Sequence, residues 1–260
     1  MSISKAKKVI DLAVFMGQSN MAGRGVAAEA PKVAEGMGYE YRAVTAPDEL
    51  FPLQEPFGEN ENNQQGVYEP GMKTGSMVSA FVNACTKLTK IPIIGISCAK
   101  GGSAIAEWMP GESYYLDAMQ RVRQAKNWLI ANDYSIRHCY MVWCQGCTDG
   151  DIGTPKEIYK ARTKEVLLSF LRDAGMEVCF LIQIGNHRDH EKLYVPMQEA
   201  QDELAKECKK IVMVSRLFQT FAKKGLMKDE FHYRQEGYNL VGTDAGTHVA
   251  EYFHAISVKI

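Results

Sequence analysis

No stretch of this 260-residue chain approaches the ~20 consecutive apolar residues that a membrane-spanning helix needs. Charge of one sign is lacking too. Lys and Arg number 30 against 31 Asp and Glu, a formal net charge of −1, so no basic field argues for nucleic acid or an anionic membrane surface. Internal repeats, low-complexity tracts and obvious linkers are absent, and one domain over residues 1–260 is expected. There is no regular cysteine framework. The seven cysteines are an odd number scattered from Cys85 to Cys208, which fits a reduced intracellular protein better than a disulfide scaffold. Lysines precede the apolar run Val9–Met16, but that run is short and Asp11 interrupts it, so it reads as a buried strand and not a secretion signal. A cytoplasmic protein without nucleic-acid or membrane partners is the expectation.

What the chain does have is alternation. Apolar runs at 9–16, 91–98, 138–144, 178–184 and 211–215 read as strands covered on both faces, as in a parallel sheet. Amphipathic patterns near 75–89, 113–131, 155–174, 194–210 and 236–254 read as helices. The third has a start signal: Thr154 as cap, Pro155 at the first helical position, Glu157 completing a capping box. This order predicts a doubly wound α/β fold with a five-stranded parallel sheet. Residues 24–73, rich in Pro, Gly, Asn and Glu, are the exception. A connection that long predicts a lid or substrate wall, with partial disorder as the alternative.

Open α/β sheets bind ligands beyond the carboxyl ends of their strands. The segments found there are GQSNMAG (17–23), AKGGSAIAEW (99–108), QGCTDGD (145–151), GNHRDH (185–190) and DEFHYRQEG (229–237). Ser19 follows a buried strand among small residues, where a serine can be exposed, but a nucleophile also needs a base. Of six histidines, His138 begins a strand and His248 and His254 lie in the last helical pattern. His232 differs because Asp229, three residues earlier in a non-helical segment, can accept from its ring and fix the tautomer. Acyl transfer also needs donors for the oxyanion, each worth roughly 2.7–4 kcal/mol. Gly101–Gly102 can turn a backbone N–H inward, and the Gln145 amide can supply another.

Two segments allow competing chemistry. In "WCQGC", Cys144 and Cys147 have the spacing of a thiol–disulfide centre, but the residues that follow are a poor helix start, and such a centre needs a helix to lower the thiol pKa. In "GNHRDH", His187, Asp189 and His190 resemble part of a zinc-hydrolase run, with Gly185 where a first histidine would stand.

Taken in order, GQSNMAG, GGSAIAEW, WCQGCTD and DEFH resemble the motif blocks of the SGNH-hydrolase superfamily. The branch is similar to the sialate O-acetylesterase and carbohydrate acetylesterase family, and LQEPFG (53–58) and GVYEPGM (66–72) extend the likeness. The resemblance implies a single-domain, flavodoxin-like, three-layer fold and a serine esterase that deacetylates carbohydrates, either sialic acid or glycan sugars, through an acetyl-enzyme. It implies Ser19 as nucleophile, His232 as base and Asp229 as its orienter. Oxyanion donors would be the N–H groups of Ser19 and of Gly101 or Gly102, with the Gln145 amide. Gln18, Asn20, Arg24 and Asp149 would contact substrate, with a loop-ordering role as the alternative for Asp149, and with Arg24 or Arg188 available to a sialate carboxylate. No cofactor or metal is implied; the partner is an O-acetylated sugar or oligosaccharide. The sequence departs from the family pattern at Cys147, where the family has Glu. A general short-chain carboxylesterase and a catalytically drifted sugar-binding relative are the alternatives.

Overall fold

The computed structural model describes residues 7–258. Strand β1 (Lys8–Gly17) is buried from Ile10 to its end, so it has to lie between two covering layers. Asp11, which breaks its apolar run, is fully buried and takes two bonds from Arg137, Nε to Oδ1 at 2.9 Å and Nη2 to Oδ2 at 2.5 Å. The charge inside the strand is thereby paired, as a buried carboxylate requires.

The sheet has seven strands, not five. In addition to β1 they are β2 (Gly38–Tyr41), β3 (Leu50–Pro52), β4 (Ile93–Ala99), β5 (Tyr134–Cys144), β6 (Cys179–Ile182) and β7 (Ile211–Ser215), in the order β3-β2-β4-β1-β5-β6-β7. All neighbours pair in parallel except β2 with β3. The two unforeseen strands lie inside the 24–73 segment. They have three or four residues each, no apolar run, and a proline ending the outer one, which only an edge position tolerates.

Helices α2 (Val78–Thr89) and α7 (Gln235–Ser257) pack on one another. Gly242 and Gly246, one turn apart on α7, permit this: a Cβ on either would lie 2.3 Å from the carbonyl oxygen of Met77 or Phe81. Helices α3 (Ser113–Ala131), α5 (Lys156–Asp173) and α6 (Val195–Glu207) neighbour one another in the other layer. Two short helices, α1 (Ser19–Ala22) and α4 (Cys147–Asp151), follow β1 and β5. Thr154 does not cap α5. Its hydroxyl donates to Asp149 Oδ1 at 3.0 Å, and Pro155 takes the cap position with no side-chain bond.

Residues 24–73 are neither a free lid nor disordered. Two carboxylates pin them: buried Glu61 accepts the N–H groups of Val44 and Thr45, and half-buried Glu55 those of Ser76 and Ser79. Arg121 of α3, 1% exposed, donates to the carbonyls of Glu61 and Ser97 and to Asp117.

Strand order reverses about β1. The chain passes from β4 on one side to β5 on the other, which opens a crevice at their carboxyl ends. Register places Gly17 opposite both Ala99 and Cys144. The three loops that follow, beginning at Gln18, Lys100 and Gln145, therefore leave the sheet at one level.

Candidate active site

Ser19 opens α1 immediately beyond β1, 7% exposed. Its hydroxyl donates to His232 Nε2 at 2.9 Å, across 213 residues of sequence. The other ring nitrogen, Nδ1, lies 3.0 Å from both carboxylate oxygens of Asp229. With the carboxylate accepting at Nδ1, the proton sits there and Nε2 is free to accept from serine. Asp229 Oδ1 also accepts the N–H groups of Phe231 and His232, at 2.9 and 2.7 Å. Burial pushes the Asp229 carboxyl up, but those two N–H groups and the ring together outweigh it and hold it below the usual carboxylate range. The loop carrying His232 is tied back by Asn20, whose amide donates to the Phe231 carbonyl at 3.1 Å and accepts from the Tyr238 hydroxyl at 2.7 Å.

Ser19 and His232 line an open cavity of about 600 Å³. Among the described residues, the N–H groups of Ser19 and Gly102 have no acceptor within the protein. Gly102, at φ 68°, faces the cavity. Gly101 is engaged differently. Its N–H donates to Glu69 Oε1 at 2.7 Å, so of the glycine pair it is Gly102 whose donor is open to a ligand. A Cβ at Gly101 would stand 2.3 Å from Arg24 Nη2, 2.4 Å from Glu69 Oε1 and 3.3 Å from Ser19 Cβ, so a larger residue there would displace the Arg24–Glu69 pair.

Glu69, which sequence reasoning did not single out, organises this side of the cavity. Oε1 also accepts from Arg24 Nη2 at 2.7 Å, and Lys100 Nζ lies 4.0 Å away. Arg24 lines the cavity, yet its side chain is 9% exposed and its remaining bond goes to the Gly23 carbonyl. Only the placement of Glu69 in GVYEPGM pointed to it.

Gln145 and Asp149 do not face the cavity. Gln145 is fully buried, and its amide donates to the Ser103 carbonyl at 3.0 Å and to Asp149 Oδ2. Asp149, 1% exposed, also accepts from Ile105 N–H and the Thr154 hydroxyl. Burial raises its pKa, opposed by these bonds. The pair joins the loops after β4 and β5. Asn20, 2% exposed, is likewise absent from the cavity wall, whereas Gln18 belongs to it.

The thiols are set against redox chemistry. A one-turn helix does start at Cys147, contrary to expectation, yet burial pushes the Cys144 thiol up to about 12 and Cys147 well above its ordinary value. A reactive pair needs the opposite shift. In the 185–190 loop, His187 Nδ1 accepts the N–H groups of Asp189 and His190, while Asp189 pairs with Arg188. Arg188, paired also with Glu230, does not line the cavity. Among the described residues, no group of three His, Cys, Asp or Glu side chains is arranged to hold a metal ion, and no helix is long and apolar enough to cross a membrane.

Comparison with known proteins agrees with the fold. A family model described as carbohydrate esterase, sialic acid-specific acetylesterase, matches residues 9–251. A solved protein from Arabidopsis thaliana is 20% identical, with a TM-score of 0.64 over 96% of this chain and 98% of its own. A carbohydrate acetylesterase from Xanthomonas citri is 14% identical, with a TM-score of 0.58 over 93% of this chain and 57% of its own. No curated protein matches the sequence.

Proposed function

The chain belongs to the carbohydrate esterase family of sialic acid-specific acetylesterases, carboxylic ester hydrolases of acetylated carbohydrates, and we propose that it works through a Ser19 acetyl-enzyme on sugars that carry no charge. The observation that carries the mechanism is the unbroken run of hydrogen bonds from the Ser19 hydroxyl through His232 to Asp229. His232 Nε2 takes the serine proton as Oγ attacks the acetyl carbonyl. The N–H groups of Ser19 and Gly102 receive the developing oxyanion, and their lack of internal acceptors supports this role. The C–O bond to the sugar breaks, and His232 returns its proton to the departing hydroxyl. Water then attacks the acetyl-enzyme with His232 again as base, releasing acetate and restoring Ser19.

Asp229 stays ionised and keeps the Nδ1 proton in place. Gln145 and Asp149 act behind the site, fixing the loops after β4 and β5. The 24–73 segment forms the substrate wall in this reading, since Tyr68, Pro70 and Met72 stand at the cavity.

The uncharged substrate is inferred from the wall's charges. A sialate carboxylate needs a cation whose charge is not already met, but Arg24 is occupied by Glu69 and Gly23, and Lys100, which spends one of its three N–H groups on the Gly101 carbonyl, has Glu69 Oε1 4.0 Å away. Arg24 and Lys100 are balanced by Glu69 and Asp151, which line the same cavity. The test compares kcat/KM for an O-acetylated neutral monosaccharide and an O-acetylated sialic acid, with wild type and Ser19→Ala, each with and without a chelator. The neutral sugar is expected to win, and Ser19→Ala to be inert with both. Turnover surviving Ser19→Ala would overturn the acetyl-enzyme, and a preference for the sialate would overturn the substrate assignment.

A further inference from the structure

The side chain of Gln18 is bound at one end only. Its Oε1 accepts the N–H groups of Gly146 and Cys147 at 2.8 and 2.9 Å, and that of Thr148 at 3.4 Å. Backbone N–H groups only donate, so these bonds decide which end of the amide is oxygen. A planar amide whose oxygen points into the turn after β5 must point its NH₂ elsewhere. Among the described residues that nitrogen has no acceptor, although the residue is only 3% exposed. It is not sealed in either. The buried side-chain polar atoms left without a partner belong to other residues, such as Glu69 Oε2 and Gln145 Oε1. Gln18 borders the cavity directly beside Ser19, so its free donor opens there.

We propose that Gln18 is a catalytic residue whose Nε2 donates to the carbonyl oxygen of the bound acetyl ester and to the oxyanion formed from it, completing a donor set with the N–H groups of Ser19 and Gly102. This rests on Ser19 being the nucleophile. It takes the place the sequence suggested for Gln145, whose amide is spent on Ser103 and Asp149. A role confined to tying two loops together does not account for glutamine. Tying the loops together uses only the amide oxygen and leaves the NH₂ without a task. What glutamine adds over glutamate is the NH₂. Once bound substrate displaces water, an unspent donor costs free energy unless the substrate accepts from it, and a carbonyl oxygen gaining negative charge is the acceptor this chemistry brings.

The experiment uses Gln18→Glu and Gln18→Met with p-nitrophenyl acetate at pH 8, alongside Ser19→Ala. Glu keeps an acceptor for the 146–148 turn and removes the donor. Met approximates the shape and removes both functions. Loss of one oxyanion donor is worth about 10²–10³ in kcat, so both variants should fall about 100-fold or more, mainly in kcat, with the Gln18→Glu melting temperature near that of wild type. Either variant remaining within tenfold of wild-type kcat/KM would overturn the proposal, because neither has an N–H to give. If Gln18→Met does not fold, Gln18→Glu decides by the same criterion. A dead Ser19→Ala with a fully active Gln18→Glu would remove Gln18 alone and leave the nucleophile standing. An active Ser19→Ala would remove the nucleophile and Gln18's role with it.

Discussion

Replacing Glu69 by glutamine swaps one oxygen for an NH₂ and tests both the architecture of the cavity and its selectivity. Glu69 Oε1 binds Arg24 and the Gly101 N–H, each at 2.7 Å, with the two charged side chains 9% and 4% exposed. The Glu69→Gln variant would keep an acceptor for both but leave Arg24 without a counter-charge. Removing one partner of a buried ion pair costs roughly 3–5 kcal/mol. Arg24 borders an open cavity, so water can reach it and the lower end, about 3 kcal/mol, applies. For a chain of this size about 3 kcal/mol corresponds to a fall of roughly 6–12 °C in melting temperature. The freed guanidinium also changes recognition. At ~6 Å from a bound carboxylate, with an effective dielectric of ~20, it contributes about 2–3 kcal/mol. The ratio of kcat/KM for O-acetyl sialate over the neutral sugar should therefore rise at least about tenfold, since about 1.4 kcal/mol is a factor of ten. Calorimetry and paired substrate kinetics read the two effects. A melting temperature within about 2 °C of wild type would refute the buried pair, and an unchanged ratio would refute Arg24 as the group that Glu69 withholds from substrate.

Asp229→Asn should lower kcat by about 10³–10⁴ with little loss of stability, because the amide stabilises the wrong ring tautomer; a loss under tenfold would remove Asp229 from the relay. The wild-type carboxyl is held below the ordinary range. Its contribution to stability is accordingly present above the ordinary carboxylate pKa and disappears only as pH falls through the lower folded value. The opposite sign applies to the thiols. Burial raises Cys85, Cys98 and Cys144 to about 12 each, so stability is full below the unfolded thiol pKa of ~8.5 and is lost as pH rises toward 12. Urea midpoints should drop steeply between about pH 9 and 11, and a flat midpoint there would contradict the burial. In the native protein at neutral pH a thiol reagent should label Cys208, the one cysteine not buried. Rapid labelling of Cys147 would revive the redox reading.

The scaffold, and the three side chains that meet beside the cavity, were foreshadowed in the order of the residues. Five apolar runs became β1, β4, β5, β6 and β7, and the longer amphipathic patterns became α2, α3, α5, α6 and α7, because strands and helices with one or two buried faces must write that burial into their periodicity. Ser19, Asp229 and His232, which the fold brings into one run of hydrogen bonds, could be singled out for a related reason, as the roles proposed for them need a particular residue type just beyond a strand or at a short local spacing. The edge strands β2 and β3 were not legible. They have too few residues for a period, and their place depends on a sheet edge that β4 provides. The two glutamines show most plainly what a linear reading cannot reach. Gln18 and Gln145 offer the same amide, and both lie on loops at the crevice. Which of them keeps an unspent NH₂ was decided by partners 42 and 128 residues away: the Ser103 carbonyl takes from Gln145, and the Gly146 N–H fixes the oxygen of Gln18. The same holds for Arg24, whose charge was legible and whose neutralisation by Glu69, 45 residues on, was not. A hydrogen-bond donor is a property of a residue. Whether that donor is free is a property of everything packed around it, and it exists only once the chain has folded.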